Sequence, residues 1–307
     1  MKRHDVAVVG EIYTDHILTG FDRWPQPGEE VYAPHYAREI GGGAAITACA
    51  LAKLGRSVSL VGIIGRDADW MVGRLQSFGV ASDGLAKTNG NTGVTVSVSI
   101  REERSFFSHV GVNKDLQMML ESETMLTALG GARHVHFALP LEHKTASRLL
   151  PVLRARGCTT SLDVGFHPEW LQAAPSLETC RAVDYFFPNE KEAALMCGGE
   201  SVDYMTFVQQ AGFSWPVVKL GASGAVMLAN GIRYEARAPS ISVIDTTGAG
   251  DVFDAGFIDA HLDAASPQDC LRRACACGAL STRAAGALPA LPDRIELERM
   301  CGQAHGS

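Results

Sequence analysis

Short apolar runs alternate along most of the chain with stretches in which apolar residues recur at helical spacing. The apolar runs are bounded by glycine or polar residues, which is typical of buried strands in a parallel sheet. Because strand and helix patterns take turns, the sequence predicts an α/β fold with helices on both faces of a mostly parallel sheet. The predicted strands of this sheet cover residues 6–10, 58–64, 135–139, 159–164, 185–188 and 216–220.

Two segments do not follow this alternation. Residues 93–101 alternate between apolar and polar side chains, which predicts a strand with one exposed face. Residues 20–36 are polar and contain three prolines, Pro25, Pro27 and Pro34. We therefore expect a single domain over residues 1–307 with a small separate sheet, or lid, formed discontinuously by about 11–36 and 93–115.

The C-terminal part of the chain has its own order of elements. A hairpin is expected over 223–236, because the Asn-Gly pair at 230–231 is a favoured two-residue turn. Residues 241–244 have a strand-like pattern, and two helices follow over about 250–264 and 267–285.

Composition and charge narrow the classes of function. The 307 residues are 46% hydrophobic, and 27 basic against 34 acidic residues give a formal net charge of −7. Basic residues do not cluster, which disfavours a nucleic-acid partner. No apolar stretch reaches the roughly 18 residues of a membrane span, and the N-terminus lacks a signal-peptide pattern. The eight cysteines form no CxxC pair, so we expect free thiols in a cytoplasmic protein.

The clearest chemical signal is the motif DTTGAGD at residues 245–251, directly before a predicted helix. The small residues Gly248, Ala249 and Gly250 leave the first amide N–H groups of this helix accessible, and the helix dipole adds partial positive charge. This end of the helix therefore suits a phosphoryl group. Asp251, in the first turn, is either a helix cap or a proton acceptor beside the bound anion.

The chain resembles the ribokinase-like (PfkB) family of carbohydrate kinases nearly from end to end. The DTTGAGD motif is similar to the C-terminal signature of that family, and the glycines at 41–43 are similar to its N-terminal signature. Segments 187–192 (FPNEKE) and 219–224 (KLGASG) resemble its NxxE element and nucleotide loop, and 10–18 resembles its sugar-contacting start. The resemblance implies a ribokinase-like three-layer α/β/α sandwich with a small β-sheet lid.

For the catalytic centre, the resemblance implies transfer of the γ-phosphoryl group of ATP to a hydroxyl group. Asp251 would accept the hydroxyl proton. The amides of Gly248, Ala249 and Gly250 would stabilise the charge on the phosphoryl group.

For metals, the resemblance implies two ions. Asn189 and Glu192, one helical turn apart, would hold Mg²⁺ through water, although the same pattern is typical of a helix cap with a capping-box glutamate. A monovalent-cation site, for K⁺, would lie near Asp245, Thr247 and residues 282–287.

Nucleotide contacts are expected from the glycine-rich loop. Lys219 would meet a phosphate, and Gly221 and Gly224 would let the nucleotide approach the backbone, with Thr247 nearby. A tight hairpin turn accounts for the same glycines equally well.

Acceptor contacts are expected at the other side of the site. Asp15 is the candidate for binding sugar hydroxyls, because a carboxylate accepts from two hydroxyls at once. Gly42 and Gly43 would place the acceptor against bare backbone. The resemblance also implies that two copies of the chain pair through the lid.

Four positions depart from the family pattern: Tyr13, Ile46, Gly165 and His167 stand where hydrogen-bonding or charged residues are usual. Loss of such groups changes which acceptor is tolerated. A small sugar or sugar acid is the first expectation for the acceptor. A nucleoside is the alternative, and a binding protein that senses sugar or nucleotide without turnover is the non-enzymatic one.

Several histidines carry weaker signals. His134 and His136 lie on one face of a strand, and because a third metal ligand is lacking in sequence, this indicates ordinary packing or surface placement. His109 and Asn113, in the lid region, are candidates for substrate contact or for an exposed turn.

Overall fold

The computed structural model describes residues 3–100, 103–199 and 203–303. The strands are β1 His4–Gly10, β2 Tyr13–Phe21, β3 His35–Gly41, β4 Val58–Ile64, β5 Ala81–Lys87, β6 Gly93–Ile100, β7 Glu103–His109, β8 Ala132–Ala138, β9 Thr159–Asp163, β10 Tyr185–Phe186, β11 Trp215–Lys219, β12 Ala225–Ala229 and β13 Ile232–Ala236. The helices are α1 Gly43–Lys53, α2 Asp69–Ser77, α3 Leu116–Leu120, α4 Glu123–Leu129, α5 His143–Ala155, α6 Pro168–Leu171, α7 Ala174–Ala182, α8 Glu190–Cys197, α9 Tyr204–Ala211, α10 Ala249–Leu262, α11 Pro267–Ser281 and α12 Arg294–Gln303. Among the described residues, no helix has both the length and the apolar character of a membrane span.

The large sheet has nine strands in the order β13-β12-β11-β10-β9-β8-β1-β4-β5. Its strands from β11 to β5 pair in parallel, while β12 and β13 add an antiparallel hairpin at one edge. The hairpin turns at Asn230 and Gly231, which both have positive φ angles of 51° and 75°, as a type I′ turn requires. The predicted parallel sheet and the predicted hairpin are confirmed.

Helices cover both faces of this sheet, as the alternation along β1 illustrates. Val6 and Val8 pack into one apolar cluster with residues of α1, α2 and α10, whereas Ala7 and Val9 pack into a second cluster with residues of α5, α7 and α9. Strands buried on both faces read as continuous apolar runs, which explains why these strands were visible in the sequence. The predicted three-layer α/β/α sandwich is therefore confirmed.

The four remaining strands form the predicted separate sheet, the lid, in the order β3-β2-β6-β7. Strand β3 extends the lid beyond the predicted boundary at residue 36 and ends at Gly41, two residues before α1 begins. The lid is thus joined directly to the helix whose start lies in the site. Residues 101 and 102, between β6 and β7, fall within the predicted lid segment but outside the described residues.

The prediction of a strand over residues 241–244 is wrong, because this segment forms no strand. Val243 and Ile244 are mostly exposed, and the Ile244 amide donates to the carbonyl oxygen of Thr282. A strand needs a neighbouring strand for its backbone hydrogen bonds. The apolar segment 241–244 does not pair with a strand of the sheet and lies on the protein surface instead. Helix α11 also ends at Ser281 rather than at 285, since the carbonyl of Thr282 bonds to this segment.

Candidate active site

A cavity of about 440 Å³ opens at the carboxyl ends of the parallel strands, where open α/β sheets place ligands. The starts of α1 and α10 and the ends of β8, β9 and β11 line this cavity, which we call the edge cavity. A second cavity of about 480 Å³, the loop cavity, adjoins it beside the loop after β11. Lys219, Gly221 and Gly250 line both cavities, so the two spaces meet at these residues.

The start of α10 contains no side-chain cap. Gly248 is in the left-handed region (φ 73°), and a Cβ there would lie 2.7 Å from the Cβ of Ala287, so only glycine fits. The Ala249 amide donates to the carbonyl oxygen of Thr246, which occupies one of the three amides that the sequence assigned to an anion. Gly248 and Gly250 both line the edge cavity, so the positive end of the helix faces it.

Asp251 lies where the starts of two helices converge. A Cβ on Gly43 would lie 2.6 Å from Oδ1 of Asp251, so α1 approaches the carboxylate with bare backbone. The side chain lines the edge cavity. Burial and the nearby carboxylate of Asp163 raise its pKa to about 7, although the Lys219 ammonium opposes this shift. A carboxylate with this pKa exchanges protons readily at neutral pH.

Lys219, the candidate for a phosphate contact, makes two ion pairs. Its ammonium contacts Oδ2 of Asp163 and lies 3.3 Å from Oδ1 of Asp254, beneath the first turn of α10. The carboxylate oxygens of Asp163, Asp251 and Asp254 lie within 4.8 Å of one another. Sequence inspection did not identify Asp254, although its position three residues after Asp251 places both on one face of α10.

This group of side chains, the edge cluster, also includes Glu192 and contains more carboxyl groups than cations. Burial raises the pKa of Asp254 and of Glu192. Burial alone would raise the pKa of Asp163 as well, but Lys219 and hydrogen bonds hold it below the usual value. Oδ2 of Asp254 is buried without a hydrogen-bond partner. The edge cluster is therefore short of positive charge.

Asn189 and Glu192 form a capping box at the start of α8. The Asn189 backbone amide donates to Oε2 of Glu192 at 2.9 Å, and its side-chain amide donates to Oε1 at 2.7 Å. The structural alternative left open by the sequence is thus present. Both side chains nevertheless line the edge cavity, where the buried Glu192 carboxylate adds to the uncompensated charge.

The loop after β11 makes a tight turn, which is the structural interpretation that the sequence offered for Gly221 and Gly224. A Cβ on Gly224 (φ 104°) would lie 1.9 Å from the carbonyl oxygen of Ala236, so this position admits only glycine. Gly221 and Gly224 also line the loop cavity, so the turn and the candidate nucleotide contact coincide.

Asp245 organises the loop that precedes α10. Its Oδ1 accepts from the Thr247 amide and hydroxyl, and its Oδ2 accepts from the Gly286 amide at 2.7 Å. The structure therefore brings together the two segments, 245–247 and 282–287, that the sequence associated with a monovalent cation.

The acceptor candidates divide into two groups. Gly42 and Gly43 line the edge cavity, as do Tyr13, Gly165 and His167. Asp15 does not line it: the carboxylate packs over Gly41 in the lid, where burial and then Glu39 raise its pKa to about 7. Ile46 is also absent from the lining because it is buried behind Gly248.

Comparison with known families shows to which family the chain belongs. The sequence profile of the pfkB family carbohydrate kinases matches residues 3–294. The chain belongs to this family. It is therefore a sugar kinase.

Individual pfkB kinases resemble this one over almost their full length. A ribokinase from Haemophilus influenzae is 28% identical over 309 residues, covering 96% of this chain and 97% of the relative. A structure of Arabidopsis thaliana ribokinase complexed with ribose and ATP is similar with a TM-score of 0.86 and 26% identity, covering 97% and 98% of the two chains. A nucleoside kinase from Methanocaldococcus jannaschii shares the fold with a TM-score of 0.85 and 20% identity, covering 97% and 98%.

Three further polar residues of this pfkB kinase serve packing. His134 and His136 are wholly buried and both bond to the Ser161 hydroxyl, at 2.7 and 2.8 Å, which confirms the packing interpretation. The side chain of Asn113 bonds to both the amide and the carbonyl of Ile12. Asn113 thus fixes the strand exit beside the cavity, a contact between distant segments that no local pattern indicated.

Proposed function

We propose that the protein transfers the γ-phosphoryl group of ATP to a hydroxyl group of a small sugar or sugar acid. The observation that carries this proposal is the position of Asp251, which faces the edge cavity beside the uncapped start of α10, at the junction with the loop cavity. An acceptor in the edge cavity and a nucleotide in the loop cavity would meet at this point.

In the proposed reaction, Asp251 removes the proton from the acceptor hydroxyl as it attacks the phosphorus atom. Its pKa of about 7 leaves a large fraction ionised at neutral pH. The start of α10 and the nearby Lys219 ammonium stabilise the negative charge that spreads over the phosphoryl oxygens. Each such preorganised donor contributes on the order of 10²–10³ in rate.

The nucleotide occupies the loop cavity in this proposal. Gly221 and Gly224 present backbone without side chains, and Thr247 belongs to the loop that leads to the anion-binding turn. The similarity to a ribokinase described as complexed with ribose and ATP supports ATP as the donor.

Mg²⁺ and K⁺ belong to the same proposal. The edge cluster has one ammonium for four carboxyl groups, and oxygen donors are the ligands that Mg²⁺ prefers, so Asn189 and Glu192 suit an ion held through water. When bound, Mg²⁺ would neutralise charge on the phosphates. Asp245 and Thr247 with residues 282–287 would hold a monovalent cation.

The lid would close over the acceptor during turnover and exclude water from the reacting phosphate. Asp15 reaches the acceptor in this proposal through closure, because it lies in β2 of the lid. Pairing of two copies through the lid is supported by its exposed aromatic residues Tyr36, Phe106 and Phe107.

Nucleoside phosphorylation is the second candidate function. The Tyr13 ring lines the edge cavity and offers a face on which a base can stack. A sensor without turnover has less support, because ligand binding does not require a carboxylate with a raised pKa at the junction of two cavities.

The test is Asp251→Asn, assayed by coupled ADP release over a panel of sugars, sugar acids and nucleosides. We expect kcat to fall by about 10²–10⁴ while the Kd for ATP stays unchanged. Asp83→Asn, at an exposed ion pair with Arg3, is the matched control and is expected to keep parental kcat. A variant at position 251 with near-parental turnover would refute the assignment.

A further inference from the structure

The exit of β1 presents two polar side chains to the edge cavity from a rigid piece of backbone. Glu11 and Tyr13 both line the cavity, while Ile12 between them is wholly buried. The Asn113 side chain accepts from the Ile12 amide at 3.1 Å and donates to the Ile12 carbonyl at 2.9 Å. The backbone between Glu11 and Tyr13 is therefore held in place by the Asn113 side chain.

The two side chains form one unit, which we call the Glu11–Tyr13 pair. The Tyr13 hydroxyl donates to Oε2 of Glu11 at 2.5 Å. A Cβ on Gly93 would lie 2.7 Å from the Tyr13 ring, so the glycine makes room for the ring. Burial and the neighbouring Glu11 raise the pKa of Tyr13, which keeps the phenol protonated as a donor to the carboxylate.

The charge around the cavity is one-sided. Among the described residues that line it, the acidic ones are Glu11, Asp163, Glu192 and Asp251. The described residues that line the cavity include one lysine, Lys219, and no arginine. The Lys219 ammonium already contacts Asp163 and Asp254. An anionic group on the acceptor would find no unpaired lysine or arginine here and would face the Glu11 carboxylate.

The transferred phosphoryl group adds further negative charge to a cavity whose charged side chains are already mostly acidic. The positive end of α10 and the Lys219 ammonium lie at the junction of the two cavities, where the proposed reaction uses them for the phosphoryl oxygens. A second anion on the acceptor would compete for the same donors. Like charges brought together in a desolvated site discriminate strongly between ligands.

We propose that the Glu11–Tyr13 pair selects acceptors that carry no carboxylate or phosphate group, so that the substrates are neutral polyols whose hydroxyl group donates to Glu11. This inference rests on the proposed function and narrows it, because it removes sugar acids from the acceptor class. Oε1 of Glu11 is the oxygen offered to the acceptor, since Oε2 accepts from Tyr13.

The experiment compares neutral and anionic partners of similar shape. Ribose, fructose and uridine are paired with ribonate, 2-dehydro-3-deoxygluconate and orotidine. Phosphorylation is measured with the parent protein, and acceptor binding is measured by calorimetry with Asp251→Asn and a non-hydrolysable ATP analogue. We expect the best acceptor and the tightest ligand to be neutral, each by at least about tenfold over its anionic partner. An anionic partner that matches or exceeds its neutral counterpart overturns the inference, and so does failure to bind any of the six.

The Glu11→Gln variant tests the assigned residue. Removal of the charge is expected to improve kcat/KM for anionic acceptors by about tenfold and to raise KM for the neutral acceptor, with little change in kcat. The matched control is Glu30→Gln, because Glu30 accepts from Tyr32 at the same spacing on an exposed part of the lid. An unchanged ratio of neutral to anionic acceptors in Glu11→Gln contradicts the role of Glu11.

The two proposals fail in different ways. If the parent phosphorylates none of the six compounds but the Asp251→Asn protein binds the neutral ones selectively, the proposed reaction is wrong and the selectivity stands. If the parent phosphorylates anionic acceptors best, the proposed reaction stands and the selectivity is wrong.

Discussion

The two ends of α10 carry clusters of charged side chains that differ in how completely they are paired. At the start of the helix, the edge cluster combines four carboxyl groups with one ammonium, and Oδ2 of Asp254 has no hydrogen-bond partner. At the other end lies a second group, the far cluster, consisting of Asp259, Asp263, Arg56, Arg273 and Arg294.

The far cluster satisfies its buried carboxylate fully. Asp259 is wholly buried, and both of its oxygens accept from Arg294, at 2.5 and 2.7 Å, while Arg56 donates to Oδ1 at 2.7 Å. Arg294 also donates to the carbonyl of Leu54, so the far cluster joins the end of α1 to α10 and α12. Its pairing is complete, which indicates a structural role.

The edge cluster keeps unpaired carboxylate oxygens in a place where pairing would have stabilised the fold. Residual negative charge and raised pKa values are expected where a protein binds cations and moves protons. One helix of about 20 Å thus carries a fully paired cluster at one end and an incompletely paired cluster at the other. The proposed function assigns turnover to the incompletely paired cluster.

The strongest way to break this comparison is Lys219→Met. Loss of the ammonium removes positive charge beside the transferred phosphate, and we expect kcat to fall by about 10²–10³. Asp254→Asn, which keeps the ammonium and its contact with Asp163, is expected to lose much less. Single-turnover kinetics of the folded proteins measure both. Equal losses in the two variants would show that Lys219 acts only through packing.

At the far cluster, Asp259→Ala is expected to reduce stability rather than catalysis. The change removes the buried carboxylate and leaves the surrounding arginines without this partner. We expect the loss to lower the free energy of unfolding by about 3–5 kcal/mol. Urea unfolding measures this loss, and kcat below the transition is expected to match the parent. Glu298→Gln is the mild control, because Glu298 lines a surface cavity together with Arg56 and Arg294 of the far cluster. A large loss of kcat with unchanged stability would contradict the structural role.

The pH dependence of Asp251 sharpens the comparison with a smaller effect. Its pKa of about 7 in the folded protein exceeds the ordinary 3.8, so the folded state binds this proton more tightly than the unfolded state does. Stability therefore falls as pH rises from about 4 to about 7, while the ionised base needed for activity appears.

We accordingly expect turnover to decline below pH 7 and Asp251→Asn to be more heat-stable than the parent at pH 8. The advantage should disappear near pH 4, where the parental carboxyl group is protonated too. Thermal melts of both proteins across this range measure the difference. Identical melting temperatures at pH 8 would mean that the ionised carboxylate costs nothing in the fold.

Much of the site was predictable because its parts are contiguous in sequence. The turn at 248–250 places Asp251 in the first turn of α10 by local geometry, and the capping box of Asn189 and Glu192 follows from their spacing alone. The glycines at 42, 43, 221 and 224 were visible for the same reason. Each of these features depends on at most a few neighbouring residues.

The partners of Lys219 and the position of Asp15 were not predictable in this way. Lys219 meets an aspartate 56 residues earlier, and Asn113 bonds to a backbone segment 101 residues away. Asp15 lies in a strand of the lid rather than in the lining of the cavity. Contacts of this range depend on how strands are ordered in the sheet.

The helix and strand layers, the family resemblance and the glycine turn at 248–250 follow from the sequence alone, because apolar periodicity and glycine positions act over a few residues. The pairing of the charged side chains, in contrast, depends on the tertiary structure. The tertiary structure left four carboxyl groups with one ammonium at the start of α10 and complete pairing at its end, since electrostatic partners are chosen by distance in space and by burial.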